Sequence, residues 1–297
     1  MGSGATEGQP AVVERVGVVG CGLMGSGIAE VCAKAGVDVV VREVDDHVLA
    51  SGRARLEGSL LRAESRGKLT ADEHAAAVSR LHFTTDLGDM ADRQLVIEAV
   101  TESEPAKVEV FATLDKVVVA PDAVLASNTS AIPIMRLAMA TDRPRQVLGM
   151  HFFSPVPVLR LMELVPSLLT GDDTIATAQA FAEGVLGKKV IRSKDRAGFV
   201  VNALLIPYIV AAIRMVETGF ATAEDVDAGM TLGCNHPMGP LALADFIGLD
   251  TTRAAAHSLY DEFKEPVYAV PPLLARMVDG GLLGRKSGRG FYRYDVG

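Results

Sequence analysis

Two groups of residues have the types and the spacing to do chemistry. The first is Gly20-Cys21-Gly22-Leu23-Met24-Gly25, a GxGxxG loop between a β-branched run at 14–20 and a helical pattern at 25–35. In such a loop the first glycine permits a tight turn, the second lets a pyrophosphate reach the backbone, and the third lets helix and strand pack closely. The helix N-terminus then faces the phosphates. A second strand, VDVVVRE, ends in Glu43. Its carboxylate would accept hydrogen bonds from a ribose and repel a 2'-phosphate, which favours NAD over NADP. The adjacent Arg42 keeps NADP open, should it rather than Glu43 face the ribose. Asp45 either shares the ribose or caps the next helix.

The second group lies in GMHFFSPVPVLRLMELVP, residues 149–166, which reads as a strand, a proline-bearing turn and another strand. With the turn centred near Val156 and Pro157, positions equidistant from it oppose each other, and His151 faces Glu163. Alternation puts Glu163 on the face of Leu159 and Leu161, where an unpaired carboxylate is costly. A carboxylate opposite an imidazole fixes the tautomer and stabilises the protonated form, as acid–base catalysis requires. The same pair also suits a purely structural hydrogen bond in a half-buried hairpin. His47, His74, His82 and His257 lie in polar or helical surroundings without a partner at useful spacing, and His236 precedes a proline. None shares ligand spacing with a carboxylate or cysteine, so no metal site is expected.

Elements that could position these groups follow from periodicity. Strands at 95–100, 123–127 and 146–152 alternate with helices at 104–118 and 132–140, the pattern of a parallel sheet covered on both faces. This is a Rossmann-type α/β arrangement. Residues 46–80 interrupt it; Thr70 and Glu73 have capping-box spacing, so the insertion reads as a helical hairpin or as a solvated connection. Its Arg62, Arg66 and Lys68 form the best local basic cluster for an anionic ligand. After 193 the pattern is helical: 198–219, 222–233 capped by Thr222, 240–263 and 271–280. The expected organisation is a flexible tail at 1–12, a dinucleotide-binding Rossmann domain at 13–194 and an all-α domain at 195–297.

The whole chain sets further bounds. Its 297 residues, 49% hydrophobic, are room for two domains. A net charge of -8 supplies no global basic field for nucleic acid or an anionic membrane. Three cysteines without ligand spacing fit a reducing cytosol, and the small polar residues Met1–Pro10 lack the pattern of a secretion signal. A cytoplasmic protein is expected. The apolar stretch at 203–213 contains Pro207 and falls short of the ~20 residues that span a bilayer. The helix from Phe199 to Val216 has too little polar surface for an outer helix. It should pack within its own domain, against a second subunit, or both, and a homodimer through the C-terminal domain is expected.

The stretches GCGLMGSGIAEVCAKAG, ASNTSAIPI, GMHFFSPVPVLRLMELV, DRAGFVVNALLIPY, LGCNHPMGPLALADFIGLD and GRKSGRGFY occur in an order that resembles the L-3-hydroxyacyl-CoA dehydrogenase family, most of all its short bacterial 3-hydroxybutyryl-CoA members. The likeness runs from about Val13 to Tyr294. It implies that His151 is the catalytic histidine and Glu163 its orienting partner, with Ser130 and Asn202 as active-site residues. It further implies that Glu102, Lys107, Ser130 and Lys286 contact the cofactor. Ser154, where many members have Asn, would lie on the nicotinamide side. Ser59 and Arg66, with Lys107 and Ser130, would lie along the acyl-CoA. The implied reaction is reversible, NAD-dependent oxidation of a short (S)-3-hydroxyacyl-CoA to the 3-ketoacyl-CoA, in fatty-acid or butanoate metabolism. Two other readings share the glycine loop and helical second domain. A 3-hydroxyacid or 6-phosphogluconate-type dehydrogenase typically uses a lysine where this chain offers His151, and a non-catalytic NAD-binding protein would have no need of His151, Glu163, Ser130 and Asn202.

Overall fold

The computed structural model describes residues 11–295. The expected tail therefore lies, apart from Ala11 and Val12, outside the described residues. The chain separates after Asp195 into two compact units.

The first unit is built on one eight-stranded sheet. β1 (Arg15–Val19) runs into α1 (Leu23–Lys34) and β2 (Asp38–Arg42). After β2 come α2 (Asp46–Ser65), α3 (Ala71–Ser79) and β3 (Leu81–Thr84). β4 (Leu95–Glu98), α4 (Glu104–Val117), β5 (Val124–Ser127), α5 (Ile134–Ala138) and β6 (Val147–Phe152) continue the alternation. β7 (Leu161–Pro166), α6 (Asp172–Ala180) and β8 (Lys189–Arg192) complete it. The strand order is β3-β2-β1-β4-β5-β6-β7-β8, and every neighbouring pair is parallel except β6 and β7. β4 and β5 are buried at every residue because helices cover both faces, which explains their unbroken apolar runs. Val18, Ile97 and Ala126 of the sheet meet Ile28 and Cys32 of α1 in one core.

The insertion is a helical hairpin. Asp45 caps α2, its carboxylate accepting from the Val48 amide at 2.8 Å. Thr70 and Glu73 exchange hydrogen bonds of 3.1 and 2.8 Å at the start of α3. Leu56 and Leu60 anchor α2 to the core.

Three features differ from expectation. Leu159 does not share a strand face with Glu163: β7 begins only at Leu161, and Leu159 lies in the connecting segment, 41% exposed. The expected helix at 240–263 is two helices, because Gly248 takes φ 104°, outside the helical region. α6 and β8 carry no assignment from the sequence; β8 is a four-residue edge strand with two exposed residues, so its apolar pattern is weak.

The second unit is helical: α7 (Val201–Glu217), α8 (Ala223–Cys234), α9 (Pro240–Ile247), α10 (Leu249–Phe263) and α11 (Pro272–Asp279). Ile209 and Ile213 of α7 pack with Leu241 of α9 and Leu274 of α11. Two buried aspartates fasten it. Asp227 accepts the amides of Leu241 and Ala242 at the start of α9 and the Tyr292 hydroxyl at 2.9 Å. Asp245 accepts the amides of Phe291 and Tyr292 and the Tyr294 hydroxyl.

Candidate active site

His151 and Glu163 are direct cross-strand partners in the antiparallel β6–β7 ladder. Imidazole Nδ1 lies 2.6 Å from Glu163 Oε2. Glu163 is fully buried and His151 is 6% exposed, so water does not screen this hydrogen bond. The Phe153 ring sits 4.5 Å from the imidazole, centroid to centroid. A carboxylate on Nδ1 fixes the ring orientation and the tautomer of the imidazole.

Ser127, which ends β5, and the Asn128-Thr129-Ser130 loop after it tie to three other parts of the first unit. Ser127 Oγ donates to Glu98 Oε2 at 2.6 Å. Asn128 Oδ1 accepts from the Phe152 amide at 2.9 Å, fastening the loop to the strand of His151. Glu102 Oε1 accepts from Thr129 Oγ1 at 2.5 Å and from the Ser130 amide at 2.9 Å. Lys107, buried, bridges Glu98 at 2.7 Å and Glu102 at 3.3 Å. Burial raises the Glu98 carboxyl pKa, and Lys107 and Ser127 oppose that rise. Lys107 is thus committed inside the protein, while half-exposed Glu102 carries its influence outward.

Gly20, with φ 96°, packs so close to Ala99 that a Cβ would strike the Ala99 carbonyl. A Cβ on Gly25 would collide with the carbonyl oxygen of Gly20, whereas one on Gly22 would meet nothing within 4 Å. The loop therefore needs glycine for its own packing at two positions and leaves open space at the third. Gly22 starts α1 without a side-chain cap, so the first amides of that helix are available to an anion. Leu23 is 68% exposed beside Gly22. Glu43 accepts from the amides of Cys21 and Val44, and Arg42 Nε donates to the Thr85 carbonyl at 3.2 Å. Both side chains line a cavity of about 490 Å³ that begins at Gly20 and Gly22 and runs past Ala99 to α4. Loop, acid and cavity suit a dinucleotide.

Residues 15–196 match the NAD binding domain of 3-hydroxyacyl-CoA dehydrogenases, and residues 198–294 match the C-terminal domain of the same enzymes. The chain belongs to the 3-hydroxyacyl-CoA dehydrogenase family. It is 60% identical to the 3-hydroxybutyryl-CoA dehydrogenase of Mycobacterium tuberculosis over 282 residues, 95% of this chain and 99% of that one. Its fold is similar to the crystal structure of FadB2 from the same organism, with a TM-score of 0.95, 59% identity and coverage of 96% and 100% of the two chains. It is also similar to the (S)-3-hydroxybutyryl-CoA dehydrogenase PaaH1 from Ralstonia eutropha, with a TM-score of 0.90, 44% identity and the same coverage.

Other residues of this dehydrogenase family member are placed as follows. Ser154 is exposed in the segment after β6. On α2, Ser59 is half-buried and Arg66, the C-cap, is exposed. Arg55 and Arg62 fall on the same face by helical spacing, and Arg55 donates to the Cys21 carbonyl at 3.0 Å. In the second unit, half-buried Asn202 lies in the first turn of α7, and Lys286 pairs with Asp250 at 2.6 Å. Residue types and spacing did not single out Glu98, Ser127, Asn128 or Thr129. The usable signal was an acid ending the apolar run LVIE and three polar residues following AVLAS. His74 and His82 do have carboxylate partners, Glu64 and Asp38, supplied by other elements and so invisible to spacing. Among the described residues no three His, Cys, Asp or Glu side chains converge to hold a metal, and no helix is long and apolar enough to cross a membrane.

Proposed function

We propose that the protein catalyses reversible, NAD-dependent oxidation of (S)-3-hydroxybutyryl-CoA, or a similarly short homologue, with His151 as the proton-transfer group. The observation that carries this reading is the buried 2.6 Å hydrogen bond between His151 and Glu163, in a chain of this family. Glu163 holds Nδ1 and sets the ring orientation; Nε2 takes the substrate hydroxyl proton in oxidation and returns it in reduction. Positioned proton transfer of this kind contributes typically ~10²- to 10⁴-fold. Ser130, set by Glu102 and Thr129, holds the substrate oxygen, and Asn202 is assigned to substrate by resemblance alone. Gly20 to Gly25, Glu43 and Glu102 hold the dinucleotide, which supplies the hydride acceptor or donor when bound. Lys107 supports Glu102 from behind, Ser154 lies toward the nicotinamide, and Lys286 is a cofactor contact.

The CoA portion is a polyanion, whereas the chain carries a net charge of -8. The face of α2 with Arg55, Ser59, Arg62 and Arg66 is the local basic surface that suits it. In α7, Leu204, Ala211 and Met215 form an exposed stripe opposite the buried face. Such a stripe supports a homodimer through the second unit. All three cysteines are free, which supports a reducing, cytoplasmic setting.

The test is His151→Gln. NADH-dependent reduction of acetoacetyl-CoA should be abolished while NADH binding, followed by fluorescence, stays measurable. Near-normal turnover in this variant refutes the assignment.

A further inference from the structure

Lys188 is a buried cation with no part in the reaction described above. It stands in the turn before β8, only 8% exposed. Its ammonium is met by two backbone carbonyls, donating to Val156 O at 2.6 Å and to Leu159 O at 2.7 Å. Burial lowers its pKa, Cys32 opposing and Lys34 adding to the effect. A buried ammonium is costly, and the two carbonyls offset that cost only while they stay in place.

Those carbonyls belong to residues 153–160, the segment that leaves His151, carries Ser154 and returns the chain to Glu163. The segment has little regular structure to hold it: the amides of Val158 and Leu159 both donate to Pro155 O at 3.0 Å. It is pinned at two places. Val156, 2% exposed, packs on Gly27 of α1, where a Cβ would overlap its side chain. Lys188 holds the other side, and the neighbouring Lys189 amide donates to Arg160 O at 2.7 Å.

We propose that Lys188 is a positioning residue for the reaction: by gripping Val156 O and Leu159 O it fixes the connecting segment, and so the presentation of His151 and Ser154 to substrate and nicotinamide. The inference rests on the dehydrogenase reading above. A shift of about 1 Å in a positioning element can cost ~100-fold in rate without loss of binding. A cavity of about 290 Å³ opens beside Lys188, lined by Lys34, Pro157, Leu159, Arg160 and Leu186. A small amine can therefore reach the place of a missing ammonium.

The experiment measures acetoacetyl-CoA reduction by the wild-type protein and by Lys188→Met and Lys188→Ala, per folded enzyme, with NADH and 4-deuterated NADH. In Lys188→Met we expect kcat to fall about 10- to 100-fold, the kinetic isotope effect on kcat to rise, and the NADH Kd to stay within about twofold. Added propylammonium should restore kcat of Lys188→Ala in a saturable way. Folded Lys188→Met with wild-type kcat overturns the proposal, as does a fall in Tm alone. If Lys188→Met does not fold, Lys188→Ala prepared in propylammonium decides: kcat that falls on removal of the amine, below the melting temperature, supports the role, and kcat that stays constant overturns it. Absence of turnover in the wild-type protein overturns the dehydrogenase reading and Lys188's role together, whereas an active wild type with an equally active variant overturns the role alone.

Discussion

Replacing Glu163 by Gln tests the proposed acid–base pair at the partner assigned to orient His151 rather than to meet the substrate. Gln keeps the volume of the side chain, so the fully buried site gains no cavity. What changes is the charge opposite His151 Nδ1, now at 2.6 Å. A hydrogen bond to a charged group contributes about 1.5–3 kcal/mol, and with both residues buried no solvent discount applies. If the whole difference is expressed when His151 holds the substrate proton, kcat falls about 10- to 150-fold, at ~1.4 kcal/mol per factor of ten. The assay is loss of NADH absorbance with saturating acetoacetyl-CoA. NADH affinity serves as control: the glycine loop follows β1, and β4, β5 and β6 lie between that strand and β7. Affinity should stay within about twofold. A kcat within about twofold of wild type, or a defect confined to NADH binding, refutes the orienting role of Glu163.

The remaining expectations use other parts of the chain. Burial lifts the Cys21 and Cys32 thiols from an ordinary 9.0 to about 12, with Glu43 adding to the rise at Cys21 and Lys188 opposing it at Cys32. That difference lowers the thiolate fraction at pH 8 about 1000-fold. Iodoacetamide should label only exposed Cys234 in the native protein and all three cysteines in denaturant; fast native labelling of Cys21 contradicts the packing of the loop. Burial works to raise the Asp250 carboxyl, yet the hydrogen bonds from Lys286 and from backbone amides bring it below its usual 3.8. A depressed carboxyl stabilises the fold above its unfolded value and loses that contribution as pH falls through its folded value. Asp250→Asn should therefore lower Tm at pH 7, with the difference closing below about pH 3.8; a difference that persists in acid speaks for another cause. Leu204→Glu puts charge on the exposed stripe of α7 and should convert the proposed homodimer to monomers by sedimentation, while a dimer that persists in the variant places the interface elsewhere.

The alternation of strands and helices in the first unit was legible because its signals are local. Gly20, Gly25 and the β-branched runs around them announce strand, turn and helix within one stretch of chain. The His151–Glu163 register was legible because β6 and β7 pair without a bulge, so equal distances from the turn survive even though residues 153–160 are irregular. Burial of charged side chains outside the apolar runs was not legible. Nothing near Lys188 in sequence shows that its ammonium lies under two carbonyls some thirty residues away. Glu98 and Lys107 likewise look like ordinary charged residues until β4, α4 and β5 are brought together. Leu159 fits the alternation of β7 yet lies outside it, because alternation does not say where a strand begins. The break at Gly248 is hidden because a glycine within a helical pattern does not by itself declare a positive φ.

The single antiparallel pair in the sheet also has a kinetic meaning. β6 and β7 are consecutive in the chain, and His151 and Glu163 are twelve residues apart. The ends of so short a loop find each other at little entropic cost, whereas the parallel strands around the glycine loop must wait for helical crossovers to close. The pair proposed to handle the proton is therefore able to form early during folding, before the glycine-loop cradle exists. Hydrogen-exchange pulse labelling during refolding should find the β6–β7 amides protected ahead of those joining β1 to β4.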